Sequence, residues 1–262
     1  MSAPRPPLSL YVRAAAFWVV FALATIVIGL WVATAGWLLP PDRRYRMARA
    51  WCVIQVHALR RLCGLRWRIE GLENVPAEPV VFFAKHQSTW ETLALVVFLP
   101  HHVHVLKREL FRVPFFGWGL AAVRPIGIDR GAGRAAVEQL VSQGRAQLAA
   151  GRCVMIFPEG TRVLPGRSER YRVGGAVLAG RTGARVVPIA HNAGEFWPRH
   201  SFVKWPGTVD VVIGEPIETA GREPEAINAE VRAWMDRQMA RIEGQGPAYA
   251  PARSSAASED AL

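Results

Sequence analysis

The chain has little cysteine, a shortage of acids and one long stretch with no charge at all. Only Cys52, Cys63 and Cys153 occur in 262 residues, an odd number without C-x-x-C spacing. That excludes a disulfide framework and a cysteine zinc site, and it fits a reducing compartment. Asp and Glu number 21 against 32 Lys and Arg, a formal net charge of +11. Such a balance suits nucleic acid, an anionic membrane surface or an acidic substrate. No G-x-S-x-G is present, which removes the commonest serine-hydrolase signature. No internal repeat is present either.

The uncharged stretch runs from Ala14 to Leu39, with Trp18, Trp31 and Trp37 spread along it. At about 1.5 Å rise per residue it exceeds the roughly 30 Å hydrocarbon core, which predicts one tilted membrane helix. Ala33-Thr34-Ala35 resembles a signal-peptide cleavage site. The run is longer than a usual signal core, however, and it ends in an Arg cluster that stops transfer, so it reads as an uncleaved anchor. Arg43, Arg44, Arg46 and Arg49 follow it, while only Arg5 and Arg13 precede it. That bias predicts a cytoplasmic C-terminal body. Basic charge packed against a span favours membrane lipid headgroups as partners over nucleic acid.

Residues 43–63 predict a second helix. Met47, Trp51, Ile54, Ala58 and Leu62 fall on one stripe, and Arg43, Arg46, Arg49, His57, Arg60 and Arg61 gather opposite. Two readings stand open: a helix packed on the domain with a solvated basic face, or an interfacial helix lying on anionic lipid. Beyond it, apolar runs at 79–84, 103–106, 123–128, 153–157, 186–190 and 209–213 alternate with helical patterns at 88–100, 108–121, 133–150, 173–182 and 223–243. This alternation predicts an α/β domain, a central mixed sheet flanked by helices. The expected organisation is an anchor over 1–40, an amphipathic basic helix over 41–64, an α/β domain over 65–243 and a disordered tail over 244–262.

Chemistry concentrates at strand ends. His86 follows Val80-Val81-Phe82-Phe83-Ala84, and Glu91 stands five residues on. Ser88-Thr89-Trp90-Glu91 fits a helix capping box, which would give the Glu a purely structural role. The same carboxylate could instead hold the imidazole in one tautomer, as a neutral-pH general base requires. Phe157-Pro158-Glu159-Gly160-Thr161-Arg162 follows the buried run Cys153-Val154-Met155-Ile156. Gly160 permits close backbone approach, and Arg162 offers a fork of donors for a phosphate. The plain alternative is a strand-ending turn with a surface Glu159–Arg162 salt bridge. Arg130, after Ile126-Gly127-Ile128-Asp129, and Lys107, after Val103-His104-Val105-Leu106, occupy similar strand-end positions. Gly131-Ala132-Gly133-Arg134-Ala135-Ala136 fits a dinucleotide pattern, but the Asp129-Arg130 before it is awkward beside a pyrophosphate. His101-His102-Val103-His104 lacks a supporting carboxylate or Cys for a metal, so these read as surface histidines at a turn.

Together these residues resemble the glycerolipid acyltransferases, specifically the bacterial 1-acyl-sn-glycerol-3-phosphate acyltransferases. His86 and Glu91 match the family's His and acidic residue separated by four positions. Gly127 and Arg130 match its second motif, Phe157 to Arg162 its F-P-E-G-T-R, and Val187-Pro188-Ile189 its short apolar segment around a Pro. The match is in order and covers roughly residues 65–217. Two departures stand out: Glu91 where the family usually has Asp, and Lys85 where many members have Asn.

The resemblance implies transfer of an acyl chain to the sn-2 hydroxyl of lysophosphatidic acid without an acyl-enzyme, although Ser88 is close enough in sequence to keep a nucleophile in view. His86 would be the base and Glu91 its orienting group. Lys107, Arg130 and Arg162 would hold the acceptor's phosphate, with Glu159, Gly160 and Thr161 shaping that pocket. Acyl-CoA or acyl carrier protein would be the donor, with no bound cofactor and no metal, at the bacterial inner membrane. Other acceptors (glycerol 3-phosphate, another lysophospholipid or a lyso-aminolipid) keep the same chemistry, and a non-enzymatic membrane-tethered basic binding protein is the other class.

Overall fold

A computed structural model describes residues 6–249, apart from the side chains of Trp37 and Arg130. The strands are β1 (Leu65–Glu70), β2 (Val81–Ala84), β3 (His102–Lys107), β4 (Ile126–Ile128), β5 (Cys153–Ile156), β6 (Val186–His191) and β7 (Gly207–Ile213). They form one mixed sheet in the order β1-β7-β6-β2-β5-β3-β4, with β6 and β7 antiparallel and every other pair parallel. The helices are α1 (Leu8–Thr34), α2 (Pro41–Ala58), α3 (Trp90–Phe98), α4 (Phe116–Ala122), α5 (Arg134–Ala149), α6 (Gly174–Thr182) and α7 (Pro224–Ile242).

Both faces of the central strands are covered, which is why β2 is an unbroken apolar run rather than an alternating one. Phe82 and Ala84 pack with Val56, Leu59, Trp90 and Leu93 from α2, α3 and the turn between α2 and β1. Val81 and Phe83 pack on the opposite side with Leu140, Leu178 and Val231 from α5, α6 and α7. The parallel strands β6, β2, β5, β3 and β4 all end along one edge of the sheet. His191, His86, the Phe157–Arg162 turn, Lys107 and Arg130 therefore line up there, where α/β sheets place their ligands.

Several expected boundaries shift for identifiable reasons. The apolar helix begins at Leu8, because Arg13 is accommodated inside it by donating from Nε to the Leu62 carbonyl at 2.6 Å. It ends at Thr34, followed by a single 3-10 turn and the Pro40-Pro41 pair that opens α2. Within α2 the buried side is carried by Cys52, Gln55 and Val56, continuing to Leu59 and Cys63, while Ile54 of the expected stripe is exposed. The expected helix over 108–121 is broken at Pro114 into a 3-10 segment, Arg108–Arg112, and α4. β1 had no counterpart among the expected strands, although Leu65, Trp67 and Ile69 alternate there with Arg66, Arg68 and Glu70.

The start of the tail also differs from expectation. Residues 244–249 are held by buried Glu195, whose Oε1 accepts the Gly244 N–H at 2.7 Å and whose Oε2 accepts those of Gln245 and Gly246. Residues 250–262 lie outside the described residues. Glu195→Ala removes the acceptor of three N–H groups, each interaction being worth about 1 kcal/mol. We expect Tm, read by circular dichroism, to fall at roughly 2–4 °C for each kcal/mol lost.

By length and composition, α1 is the one helix among the described residues that is apolar and long enough to cross a membrane. One side of it, including Leu10, Phe17, Gly29 and Val32, is buried against the domain. Buried Lys204 helps to fix it: its Nζ lies 3.8 Å from the Trp18 ring centroid and 4.8 Å from that of Phe17. The other side exposes Val12, Val19, Leu23, Val27 and Leu30.

Candidate active site

β2 leaves the sheet at Ala84, and the Lys85 N–H still pairs with the Ile189 carbonyl at 2.9 Å. The central Val187-Pro188-Ile189 strand thus fixes where His86 emerges. His86 stacks on Phe157, the first residue after β5, with centroids 4.1 Å apart and an interplanar angle of 19°. Its Nδ1 lies 2.9 Å from Glu91 Oε1. The same oxygen accepts the backbone N–H groups of Gln87 at 3.0 Å and Ser88 at 2.8 Å. Capping and imidazole orientation are therefore two uses of one carboxylate, not alternatives. The longer side chain of Glu, where the resemblance expects Asp, still reaches all three donors.

Glu91 is completely buried, which alone would raise its pKa. The hydrogen bonds it accepts from His86 and from the Ser88 amide outweigh that, and the carboxyl sits below its ordinary value. Burial keeps His191 itself below the usual imidazole value. Its Nε2 donates to the Lys85 carbonyl at 2.7 Å, and its Nδ1 accepts the Ala193 N–H at 3.3 Å, as a neutral ring requires. With Nδ1 committed to an ionised Glu91, His86 has Nε2 left for chemistry, and none of the described residues hydrogen-bonds that atom.

A cavity of about 570 Å³ opens beside His86. Its polar end is formed by His86, Thr89, Lys107, Gly160, Thr161, Arg162 and Arg199. Beyond them the wall is mostly apolar, with Phe21 and Val32 from α1, Trp51 from α2, Leu93 and Val96 from α3, and Leu120 from α4. Arg162 donates to Thr89 Oγ1 at 3.0 Å. Among the described residues no carboxylate pairs with Lys107, Arg162 or Arg199, so this end carries uncompensated positive charge.

The expected residues divide. His86, Lys107, Gly160, Thr161 and Arg162 share the cavity, with Glu91 directly behind His86. Glu159 does not line it. Its buried carboxylate faces Lys85, with Nζ 3.2 Å from Oε1, so it is not the surface partner of Arg162. Burial raises the Glu159 pKa even against the Lys85 charge. Lys85, which departs from the resemblance, is thereby the countercharge of Glu159. Arg130 follows β4 on the same sheet edge, but its side chain lies outside the described residues.

Arg199 was not anticipated, since it stands in a loop without a recognisable motif; it donates to the Arg162 carbonyl at 3.4 Å. Gln87 was also missed. Its Oε1 accepts the Gly194 N–H and its Nε2 donates to Glu243 at 2.9 Å, bracing the residue after His86. His102 and His104, expected on the surface, belong to β3 and line the cavity, because strand pairing with β5 carries them inside.

Comparison with known proteins fits this arrangement. The family described as Acyltransferase matches residues 66–192, a stretch that contains every motif above. A 1-acyl-sn-glycerol-3-phosphate acyltransferase of Pseudomonas aeruginosa is 42% identical over 235 residues, which cover 88% of this chain and 91% of the relative. The chain belongs to the 1-acyl-sn-glycerol-3-phosphate acyltransferase family. A chloroplastic 1-acyl-sn-glycerol-3-phosphate acyltransferase of Arabidopsis thaliana is 29% identical over 77% of this chain and 56% of the plant protein. The crystal structure of the 1-acyl-sn-glycerophosphate (LPA) acyltransferase of Thermotoga maritima superposes with a TM-score of 0.74 over 90% of this chain and 98% of that one. At 18% identity that likeness speaks for the fold alone, and it agrees with the mixed sheet and flanking helices found here.

Proposed function

We propose that this acyltransferase acylates the sn-2 hydroxyl of 1-acylglycerol 3-phosphate, giving phosphatidic acid. The observation that carries the reading is one imidazole edge, held by a buried carboxylate, facing a cavity that is cationic at one end and apolar beyond. His86 Nε2 takes the proton as the hydroxyl oxygen attacks the thioester carbonyl carbon. The tetrahedral adduct collapses, the C–S bond breaks, and the departing thiolate takes the proton back from His86. Glu91 holds the ring and stabilises the imidazolium between these steps.

The acceptor's phosphate sits at Arg162 and Lys107, joined by Arg130 through the resemblance, and the donor's acyl chain runs into the apolar cavity. Acyl-CoA or acyl carrier protein supplies that chain. A direct transfer is supported by Ser88, which is buried with Oγ donating to the Trp197 carbonyl at 2.6 Å and accepting the Trp90 N–H. That hydroxyl is engaged away from His86.

Arg162→Ala tests the phosphate assignment. A charged hydrogen bond is worth about 1.5–3 kcal/mol, so kcat/KM for lysophosphatidic acid should fall roughly 10- to 100-fold. The same change should matter far less for a monoacylglycerol, which lacks the phosphate. Arg162→Lys should recover only part of the loss, because an ammonium keeps the charge but not the fork. Equal losses on both acceptors would move Arg162 to the fold or the donor.

The exposed apolar side of α1 supports association with a membrane alongside the catalytic body. The Arg excess after α1 supports the cytoplasmic face of the bacterial inner membrane. A reporter fused after Leu262 should read as cytoplasmic; a reading on the opposite side would overturn the sidedness.

A further inference from the structure

Arg199 belongs to no motif, yet it lines the cationic end of the cavity and comes from a tightly braced loop between β6 and β7. Within the loop the Ser201 N–H donates to the Pro198 carbonyl at 3.1 Å and Ser201 Oγ to the Val203 carbonyl at 2.8 Å. Trp197 Nε1 donates to the Ser201 carbonyl at 3.3 Å. On the α1 side Phe202 stacks on Trp18 and Tyr11, and its carbonyl accepts from Lys204 Nζ at 2.8 Å and Trp18 Nε1 at 3.4 Å. His200 is held at φ +63°, an uncommon conformation for any residue but glycine, and its Nε2 accepts from Arg199 Nε at 2.8 Å. A surface loop tied down in this way presents its arginine in one place.

That place adjoins the catalytic residue and the proposed phosphate site. The Val163 N–H donates to the His86 carbonyl at 2.7 Å, and the Arg162 carbonyl of the same peptide unit accepts from Arg199 Nη1 at 3.4 Å. One peptide plane thus links the base to Arg199. Arg162 is half-buried, with its guanidinium on Thr89 at the start of α3, whereas Arg199 is exposed. The two are an inner and an outer cation on one wall. Arg199 commits Nε and one Nη1 hydrogen, and the rest of its fork has no acceptor among the described residues.

A phosphate resting on Arg162 and Lys107 turns an outer oxygen toward Arg199. A phosphomonoester near neutral pH is largely a dianion with three free oxygens, and it fills that position with charge. A phosphodiester puts its second ester there with one charge fewer, and a headgroup ammonium is repelled by the guanidinium.

We propose that Arg199 is a specificity-determining residue, the outer cation that makes the acceptor site select a phosphomonoester over a phosphodiester lysolipid. This deepens the lysophosphatidate reading and rests on it. The competing role is a brace for the Arg162 peptide, and the experiment separates the two.

The full chain in nonionic detergent micelles is assayed at saturating acyl-CoA with three acceptors of one acyl chain. These are lysophosphatidic acid, its phosphate monomethyl ester and lysophosphatidylethanolamine. The readout is kcat/KM for the first divided by that for each of the others, and wild type should favour lysophosphatidic acid in both ratios. Arg199→Ala should lower the ratio to the methyl ester by roughly 5- to 20-fold, short of a fully buried charged hydrogen bond because the guanidinium is exposed and screened. The ratio to lysophosphatidylethanolamine should fall at least as far, since the repulsion is removed too. Arg199→Lys should keep part of the selectivity. Arg199→Gln can still donate to the Arg162 carbonyl but is uncharged, and it should behave like Arg199→Ala. Because each ratio is internal to one protein, a general loss of activity cancels.

An Arg199→Ala protein that keeps both ratios would overturn the proposal. Equal loss on all three acceptors would mark a brace, and a raised KM for acyl-CoA at unchanged ratios would mark a donor contact. Full recovery of the ratios by Arg199→Gln would overturn it as well. So would a wild type that uses the methyl ester as readily as lysophosphatidic acid. A wild type that acylates none of the three would instead sink the acceptor reading beneath it.

Discussion

Turnover of lysophosphatidic acid by His86→Ala should fall by at least about 10²-fold, the lower range for loss of a general base. The geometry leaves no understudy. His191 is buried with Nε2 committed to the Lys85 carbonyl. His104 lies on the far side of the Phe157 contact and is held neutral by burial. The variant removes a partly exposed ring and frees Glu91 Oε1 to keep both backbone N–H groups, so the fold should survive. Initial rates at saturating thioester, alongside a thermal melt, check the point. Near-normal turnover by a folded His86→Ala protein would remove His86 from the mechanism.

What could be read before the structure was what the chain encodes locally. The His86–Glu91 pair lies within one strand-to-helix turn, so its spacing alone brings the groups together. The apolar runs of β2, β5 and β6 announce themselves because helices cover both faces. What could not be read depends on which distant groups meet. Glu159 carries the same motif signature whether it faces a ligand or Lys85, and only the approach of β2 to β5 decides between them. His102 and His104 look like a polar turn until pairing with β5 carries them inside. Arg199 reaches the cavity from a loop with no pattern of its own, and the backbone of 244–246 finds its acceptor in Glu195, some fifty residues away. β1 is a different case, since its alternation was present in the sequence and its six residues of mixed charge obscured it.

Glu91→Gln should separate charge from scaffold, and we expect it to lower kcat by about 10²- to 10³-fold with little change in Tm. Glu91 Oε1 accepts three hydrogen bonds, two of them from backbone N–H groups of Gln87 and Ser88. Those two donors dictate that a glutamine seats its carbonyl oxygen there and its amide nitrogen at the Oε2 position. The helix start keeps its cap, and the ring of His86 keeps a proton on Nδ1 and its free edge at Nε2. What disappears is the negative charge that stabilises the imidazolium while His86 holds the substrate's proton. Replacing a charge-assisted hydrogen bond by a neutral one sets a floor of about tenfold. Loss of the correct tautomer, which sets the ceiling near 10⁴ in serine-protease triads, is avoided here by the two amides. The Oε2 site has no hydrogen-bond partner in the wild type, and His191 Nε2, 3.9 Å away, donates elsewhere. An amide nitrogen there gives up a buried charge in exchange for unmade hydrogen bonds, which leaves stability nearly level. Melting curves and single-turnover rates on the same preparation decide the matter. A fall in Tm with unchanged activity per folded molecule would reduce Glu91 to a helix cap. A loss approaching 10⁴-fold would show that the glutamine had flipped and taken the His86 tautomer with it.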